Sequence, residues 1–373
     1  MLKTSSKTVL YGWGQTVALP LLKKSRVLYE PHELKQLDDY ALPKEESTFQ
    51  LATGWGHSLI GTSNAVYGFG LNKSGQLGTM ACDSGHSKMT FKEPVKLLAC
   101  GREHSHVVTE NEDKKKTSLY SFGNNMYGQL GIGKNKKTTP GQLVAESQLR
   151  LVNFDKTIKD VVCGLDNTVL TTEADGEIYA MGWGADGQLG QGQDDKDVPS
   201  KLDKSCMTKK ISSSTDYTLL LTNEKLYTWG NSEYGQGAQG KKIDRILEPV
   251  EIKTDKDMID VAAGGPFSVF LDHLGQVYTC GYGALGLGPE IIESLKLEKI
   301  KGLKQVSKIY ASTDYAAALT VQGELFTWGL NGPSGRLGLG HQEHAFIPKR
   351  VNIDRKVIDV SLGVNHALVL CED

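Results

Sequence analysis

Five polar residues lie just before a repeated strand signature and are well placed to contact another molecule. The signature reads small-small-x-x-(His/Asn/Tyr/Phe)-(Ser/Thr/Ala)-apolar and occurs seven times. The residue before its fifth position is polar in five copies: Glu103, Asp166, Asp216, Asp314 and Asn365. Such side chains can cap their own turn by accepting a hydrogen bond from a backbone N–H of that turn. Alternatively, if the repeats share one axis, they form an acidic ring that faces basic groups of a protein partner. Both interpretations stay open.

Covalent catalysis is not predicted. The fifth signature position holds histidine in three copies and other residue types in four: His57, His104, His366, Asn167, Tyr217, Phe267 and Tyr315. One copy carries phenylalanine there, which cannot transfer a proton. We therefore interpret this position as structural, with the same role in every repeat. The sequence also lacks the Gly-x-Ser-x-Gly signature of a hydrolase nucleophile. We therefore expect a binding protein with no catalytic residues.

Cofactor and metal sites are not predicted either. Residues 182–187 and 281–286 read Gly-x-Gly-x-x-Gly, but a dinucleotide site needs these glycines to open a helix. The segment 128–135 resembles a phosphate loop, yet Asn135 stands where serine or threonine would hold magnesium. The six cysteines lie far apart, and His341 and His344 have no third ligand nearby in sequence.

Clusters of lysine offer an RNA-binding alternative. The clusters fall in expected turns and connections: Lys114, Lys115, Lys116, Lys134, Lys136, Lys137, Lys241 and Lys242. They are either solvated loop charges or phosphate contacts, whose affinity would fall steeply with salt. No aromatic platform for base stacking accompanies them. With 42 basic and 44 acidic residues, the net charge of −2 gives no overall field for nucleic acid.

A second repeated motif indicates the elements that hold these residues. An apolar-aromatic-x-apolar-Gly segment ends at seven glycines: Gly14, Gly70, Gly123, Gly182, Gly230, Gly281 and Gly329. Successive glycines are 48 to 59 residues apart, and a glycine-rich loop such as GNNMYGQLG follows most of them. Turn dipeptides such as Asp175-Gly176 separate the two motifs and are typical of β-hairpins. A period near 50 with short strands predicts an all-β, seven-bladed β-propeller.

The ends of the sequence predict how the ring closes. The motif at Gly14 has no signature before it, and the signature at His366 has no motif after it. We expect the N-terminal and C-terminal strands to pair in one shared blade, which removes the open sheet edge. This prediction makes residues 1–8 a short tail and residues 9–373 the propeller.

Two segments depart from the repeat. Residues 19–49 carry mixed charges and three prolines, which favour a surface excursion. Residues 290–301 have partly helical spacing of apolar residues and predict a short helix between blades. Either segment could contact a partner or be a solvated connector.

With these motifs in view, the chain resembles the regulator of chromosome condensation family. The family repeat pairs a CGxxHS strand with a WGxNxxGQLG loop, matched here by residues 100–105 and 229–236. The resemblance spans Val9 to Leu370 and implies a seven-bladed propeller. Residues 182–190, 229–236 and 281–294 are most similar to an animal mitochondrial member of the family.

The resemblance implies two functions. The mitochondrial member implies a non-enzymatic scaffold that supports ribosomal RNA and assembly of the large ribosomal subunit. The founding member implies guanine-nucleotide exchange on a GTPase, which for the mitochondrial member is a dynamin-like GTPase. In the founder the acidic turn touches the GTPase, so that role transfers first to Asp166 and Asp314, then to Glu103 and Asp216. The founder also inserts an extended wedge, which the short loops from Gly70 and Gly123 lack.

The same resemblance sets expectations for location and partners. It implies residence in mitochondria, in the matrix or at the inner membrane, with the nucleus or cytoplasm as the alternative. No stretch approaches the roughly 18 apolar residues of a membrane helix, which leaves peripheral attachment to a membrane open. We expect a monomer with protein partners, either ribosome-assembly factors or a GTPase.

Overall fold

The computed structural model describes residues 8–21, 26–34, 50–111, 113, 115–138, 140 and 144–373. Within these ranges the chain forms 28 β-strands and two short 3₁₀ helices, Thr16–Ala18 and Gly332–Ser334. No helix in the described part of the chain has the length and apolar character needed to cross a membrane.

The strands form seven four-stranded antiparallel sheets, and each sheet is one blade. We number blades 1 to 6 along the chain from β3, so that blade 1 holds β3–β6 and blade 6 holds β23–β26. Blade 7 holds β27, β28, β1 and β2, in the order β2-β1-β28-β27. Each blade runs from a first strand at the axis to a fourth strand at the rim.

The four strand positions have these bounds. The first strands are β3 Gln50–Thr53, β7 Val95–Cys100, β11 Ile158–Cys163, β15 Thr208–Ser213, β19 Met258–Ala263, β23 Val306–Ala311 and β27 Val357–Leu362. The second are β4 His57–Gly61, β8 His104–Asn111, β12 Asn167–Thr172, β16 Tyr217–Thr222, β20 Phe267–Asp272, β24 Tyr315–Thr320 and β28 His366–Glu372. The third are β1 Thr8–Gln15, β5 Ala65–Asn72, β9 Lys116–Asn124, β13 Glu177–Gly182, β17 Leu226–Ser232, β21 Val277–Tyr282 and β25 Leu325–Gly329. The fourth are β2 Val27–Glu33, β6 Cys82–Thr90, β10 Ala145–Leu151, β14 Lys196–Ser205, β18 Ile243–Ile252, β22 Glu293–Lys299 and β26 Ala345–Arg350.

Pairing between the two ends of the chain closes the ring, as the sequence predicted. Strand β1 lies antiparallel to β28 over seven residue pairs, from Thr8↔Glu372 to Gly14↔His366. The first strands of neighbouring blades also contact one another around the axis, and β27 of blade 7 contacts β3 of blade 1. Within the described residues, the first strand of the chain in this blade, β1, begins at Thr8.

The motif glycines are explained by a close backbone approach. All seven have φ between 92° and 125°, a region that L side chains rarely adopt. A Cβ added at Gly182 would lie 2.3 Å from the carbonyl oxygen of Asp166, and one at Gly230 would lie 2.4 Å from that of Asp216. Each glycine thus lets the end of the third strand lie against the turn between the first and second strands, which in five of the seven blades carries a predicted site residue.

Large side chains fill the spaces between blades. Trp13, Trp229 and Trp328 of the third strands are fully buried. The indole of Trp229 donates to the carbonyl oxygen of Gln188 in the preceding blade at 2.9 Å. Because such contacts recur around the axis, the core consists of packed interfaces between sheets rather than one central cluster.

Two predictions about the departures are wrong. Residues 293–299 form strand β22 and not a helix. Leu295 and Leu297 are both partly buried, and Lys296 between them is exposed. Buried and exposed side chains therefore alternate as in a strand, and pairing with β21 stabilises that conformation. The segment 19–49 is not a surface excursion throughout, since Val27–Glu33 is the fourth strand of blade 7. Residues 22–25 and 35–49 lie outside the described residues.

Candidate partner-binding face

One face of the propeller collects the predicted site. Each first strand ends there in a three-residue turn, which we call the ring turn: residues 54–56, 101–103, 164–166, 214–216, 264–266, 312–314 and 363–365. The glycine-rich loops lie on the same face. The carbonyl oxygen of the last ring-turn residue accepts a hydrogen bond from the backbone N–H at the start of the glycine-rich loop of the same blade. Asp166 accepts from Trp183 at 2.9 Å, and Asp216 accepts from Asn231 at 2.9 Å. We call this side the loop face.

The ring turns carry all five predicted residues, each at the last position of its turn, whereas the first two positions of most ring turns line the central depression. The structure therefore brings Glu103, Asp166, Asp216, Asp314 and Asn365 to one face. Their surroundings differ from blade to blade, so they do not form a uniform ring. Whether they contact a partner stays a prediction.

Hydrogen bonds from neighbouring loops hold two of these carboxylates. Glu103 accepts from the hydroxyl of Ser74 at 2.8 Å and from the amide of Asn124 at 3.2 Å. Asp314 accepts from the guanidinium of Arg336 at 3.1 Å. The backbone carbonyl of Asn365 accepts from the N–H of Gln15 at 2.8 Å, which ties the ring turn of blade 7 to the N-terminal strand.

Blades 2 and 3 form what we call the closed sector, defined by Arg102, Tyr127, Lys136, Asp166 and Trp183. The Arg102 guanidinium pairs with the Asp166 carboxylate, which is only 2% exposed. Burial raises the pKa of Asp166, and the Arg102 charge opposes that rise. Tyr127 stacks on Trp183 with ring centroids 5.2 Å apart, and the Lys136 ammonium lies 4.0 Å from the Tyr127 centroid. Arg102 therefore neutralises the carboxylate, and Lys136 covers one ring of the aromatic pair.

Blades 4 and 5 form what we call the open sector, defined by Asp216, Glu233, Tyr234 and Tyr282. The ring centroids of Tyr234 and Tyr282 lie 5.6 Å apart, and their side chains are 43% and 40% exposed. Together with Asp314, the four residues line one depression on the loop face. The tyrosine pair has the same position between blades as the aromatic pair of the closed sector.

The carboxylate of the open sector has a different environment from Asp166. Asp216 accepts a hydrogen bond from Thr215 of its own turn at 2.9 Å. Within the described ranges no Lys or Arg forms an ion pair with it. Burial and the nearby charges of Asp186 and Glu233 raise the pKa of Asp216 to about 6, against an ordinary value of 3.8. The open sector is thus acidic, aromatic and without a cation of its own.

The predicted lysines do not gather into one basic patch. Lys115 and Lys116 lie at the turn between β8 and β9, on the opposite face, and Lys114 lies outside the described residues. Lys134 lies 3.8 Å from Glu146, Lys137 lies 3.5 Å from Asp195, and Lys242 pairs with Glu293. Lys136 covers Tyr127, and Lys241 is exposed. Most of the described lysines on the loop face therefore lie beside acidic or aromatic groups of the chain itself.

The buried histidines connect neighbouring blades. Nε2 of His57 lies 2.9 Å from the Ser105 hydroxyl of the next blade, and Nε2 of His366 lies 2.7 Å from that of Ser58. In two other blades a tyrosine at the same position has this role, such as Tyr217 with Ser268. Burial lowers the pKa of His57 to about 4, so it is neutral at physiological pH. These contacts explain the histidines as structural residues.

One buried cluster has side chains of metal-ligand type. Ligand atoms of His104, His106 and Cys163 lie within 4.8 Å of one another. The Thr168 hydroxyl lies 2.8 Å from His106 Nε2, 3.2 Å from His104 Nε2 and 3.9 Å from Cys163 Sγ. It donates to the Gln129 carbonyl at 3.1 Å. Because a hydroxyl already fills the centre of the cluster, the geometry favours a hydrogen-bond network over a metal site.

Sequence reasoning missed the aromatic residues and arginines of the loop face. A signal existed, because the loops GNNMYG and GNSEYG both carry tyrosine at their fifth position. An aromatic residue also follows the motif glycine in GWG and GYG, giving Trp183 and Tyr282. Their pairing across a blade boundary depends on the offset between adjacent sheets, which one strand's sequence does not encode.

The closed ring of seven four-stranded sheets, with its repeated turn and glycine-rich loop, defines the class of the protein as a seven-bladed β-propeller of tandem repeats. The family model for the regulator of chromosome condensation (RCC1) repeat matches residues 63–108, 118–171, 175–221, 223–271 and 322–370. The chain belongs to the RCC1 repeat family.

Relatives within this family match most of the chain. The RCC1-like G exchanging factor-like protein of Homo sapiens is 32% identical over an alignment 372 residues long. The alignment includes 89% of this chain and 78% of the relative. The ultraviolet-B receptor UVR8 of Arabidopsis thaliana is 28% identical over an alignment 340 residues long. The alignment includes 86% of this chain and 74% of the relative.

Solved structures have the same fold. Human WBSCR16 superposes with a TM-score of 0.86 at 28% identity, covering 99% of this chain and 100% of that one. Yeast RCC1 (Prp20), solved bound to Kap60, gives a TM-score of 0.82 at 18% identity, covering 99% and 89%. The second similarity concerns the fold alone.

Proposed function

We propose that this propeller binds a protein partner on its loop face and that the partner is a GTPase whose nucleotide exchange it promotes. The open sector carries this proposal, because a half-buried carboxylate beside two exposed tyrosines is chemistry typical of a protein interface. The human relative is named a G exchanging factor-like protein, in agreement with this role.

Exchange of this kind needs no covalent step. A protein that binds the nucleotide-free GTPase more tightly than the loaded form lowers the affinity for nucleotide by the same factor. Such coupling is typically about 1–3 kcal/mol, or roughly 5- to 150-fold. Hydrogen bonds between blades hold the ring turns, as in the bond from the Arg102 N–H to the Leu165 carbonyl at 3.0 Å. The loop face is therefore a preorganised surface, which lowers the entropy cost of binding.

Release of labelled GDP from candidate GTPases tests the proposal. The wild type should accelerate release, and Asp216→Ala and Asp314→Ala should each reduce the acceleration at least tenfold. Asp166→Ala should reduce it less, because that carboxylate is buried under Arg102. Glu224→Gln is the matched control, since Glu224 is exposed in the same blade as Asp216 but on the opposite face. No acceleration by wild type would exclude exchange for the GTPases tried.

A second proposed role rests on the sequence resemblance to a mitochondrial family member. We propose residence in mitochondria and support of large-ribosomal-subunit assembly, through protein rather than RNA contacts. The ion pairs of Lys134, Lys137 and Lys242 favour protein contacts over RNA contacts. Imaging of the tagged full-length protein tests the location. Crosslinking in mitochondria should recover ribosome-assembly proteins, and recovery of neither these proteins nor ribosomal RNA would contradict the role.

A further inference from the structure

We propose that the open sector binds an arginine side chain of the partner protein, with the guanidinium held between the Asp216 carboxylate and the rings of Tyr234 and Tyr282. The inference rests on the proposed protein-binding role of the loop face. It goes further by naming the group that is recognised and the residues that recognise it.

The chain itself provides two examples of this kind of site. In blade 3, Asp166 binds the guanidinium of Arg102, which also lies 5.9 Å from the ring centroid of Trp55. In blade 6, Asp314 binds the guanidinium of Arg336, which lies 5.8 Å from the ring centroid of Tyr315. In both, a carboxylate from the last ring-turn position and an aromatic ring hold one arginine.

Blade 4 has the same carboxylate without the arginine. Arg102 is the second residue of its ring turn and reaches forward to the acid of the next blade. The second residue of the following turn is Leu165, which cannot pair with Asp216. Of the four ring-turn carboxylates, Asp166 and Asp314 bind an arginine, and Glu103 instead accepts hydrogen bonds from Ser74 and Asn124 of neighbouring loops. Asp216 accepts only from Thr215 of its own turn among the hydrogen bonds of the described residues, and the tyrosines beside it are exposed.

The aromatic pairs provide a second, independent comparison. Tyr127 and Trp183 are partly buried, and Lys136 lies 4.0 Å from the Tyr127 ring centroid. No Lys or Arg of the described chain lies over the ring of Tyr234 or Tyr282. A cation over an exposed aromatic ring contributes about 0.5–1 kcal/mol, and more when it is desolvated. The surface that a cation covers in one sector is left for a partner in the other.

The geometry favours arginine over lysine. A guanidinium is planar, so it can stack on a tyrosine ring while its edge donates two hydrogen bonds to a carboxylate. Asp216 and the two tyrosines line one depression, which places the acceptor and the rings within reach of one side chain. Both examples inside the chain also use arginine.

Fluorine NMR of the protein labelled with 3-fluorotyrosine tests the proposal directly. The signals of Tyr234 and Tyr282 are assigned with Y234F and Y282F, and the probe is the blocked peptide acetyl-Gly-Arg-Gly-amide. We expect saturable shifts of both signals, a response at least threefold weaker with the lysine peptide, and none with the isosteric, uncharged citrulline peptide. The Tyr127 signal is the internal control and should not move, because Lys136 covers that ring.

Variants separate the site from general charge attraction. Asp216→Asn should weaken binding of the arginine peptide at least tenfold, whereas Glu224→Gln should leave it unchanged. Equal shifts with the citrulline peptide, an unchanged response in Asp216→Asn, or no saturable shift in the folded wild type would each overturn the proposal. Peptide binding without accelerated GDP release would retain the arginine site and reject only exchange for the GTPases tried.

Discussion

The closed and open sectors have the same backbone and opposite surfaces. In both, the carbonyl oxygen of the last ring-turn residue, Asp166 or Asp216, accepts a 2.9 Å hydrogen bond from the backbone just after the third strand. An aromatic pair joins the blade of Asp166 to the preceding blade in the closed sector, and the blade of Asp216 to the following blade in the open sector. The closed sector adds Arg102, which neutralises the Asp166 carboxylate, and Lys136, which covers the Tyr127 ring. The repeat thus builds a scaffold, and a few variable side chains decide which part of that scaffold is available to a partner.

Removing the arginine of the closed sector should have the largest effect on stability. Arg102→Ala leaves the buried Asp166 carboxylate without its cation, so we expect a loss of about 3–5 kcal/mol in the free energy of unfolding. Urea unfolding at pH 7 measures it. Arg245→Ala is the control, because Arg245 is 41% exposed in its pair with Asp186 and should cost only about 0–1 kcal/mol. Equal losses in the two variants would remove the energetic distinction between a buried and an exposed pair.

Neutralising the carboxylate of the open sector should have the opposite sign. The pKa of Asp216 is raised to about 6 in the folded chain, so ionisation destabilises the fold as pH rises from about 4 to above 6. Asp216→Asn should therefore raise the free energy of unfolding by about 2 kcal/mol at pH 7.5 and have little effect at pH 4. Urea unfolding at both pH values measures this. A gain of equal size at the two pH values would contradict the origin in ionisation.

Transferring the arginine should convert the open sector into a closed one. Leu165→Arg places a guanidinium at the ring-turn position from which Arg102 reaches Asp166. We expect the pKa of Asp216 to fall towards 4, stability at pH 7.5 to rise by about 1 kcal/mol, and arginine-peptide binding to weaken about tenfold. Carboxyl-carbon NMR and the fluorine titration measure these changes. Leu165→Gln is the uncharged control and should retain peptide binding.

Uncovering the aromatic pair of the closed sector should have the smallest effect. Lys136→Ala removes the ammonium that lies over Tyr127, at a cost of about 0.5 kcal/mol in unfolding free energy. The fluorotyrosine signal of Tyr127 should then shift weakly with the arginine peptide, while Tyr234 and Tyr282 respond as before. Lys241→Ala removes an exposed lysine and serves as the control. A Tyr127 signal that stays unresponsive would show that Arg102 and Asp166 alone keep that sector closed.

Much of the fold could be predicted because its constraints repeat. Each motif glycine lies where a Cβ would collide with the opposite carbonyl, so the backbone imposes the same residue seven times. Strand β22 was mistaken for a helix because a rim strand buries few residues and its short apolar pattern is ambiguous. Strand β2 was missed because it lies in a charged segment and pairs only with β1.

The sequence by itself determined the number of blades, the closure through β1 and β28, and the position of the acidic residues in the ring turns. These features follow from local backbone constraints that recur at a fixed period. Only the tertiary structure decided that Arg102 reaches Asp166 while Asp216 has no such cation, and that Tyr234 pairs with Tyr282. Such contacts cross blade boundaries, so they depend on how neighbouring sheets pack and on the charge and burial that this packing creates.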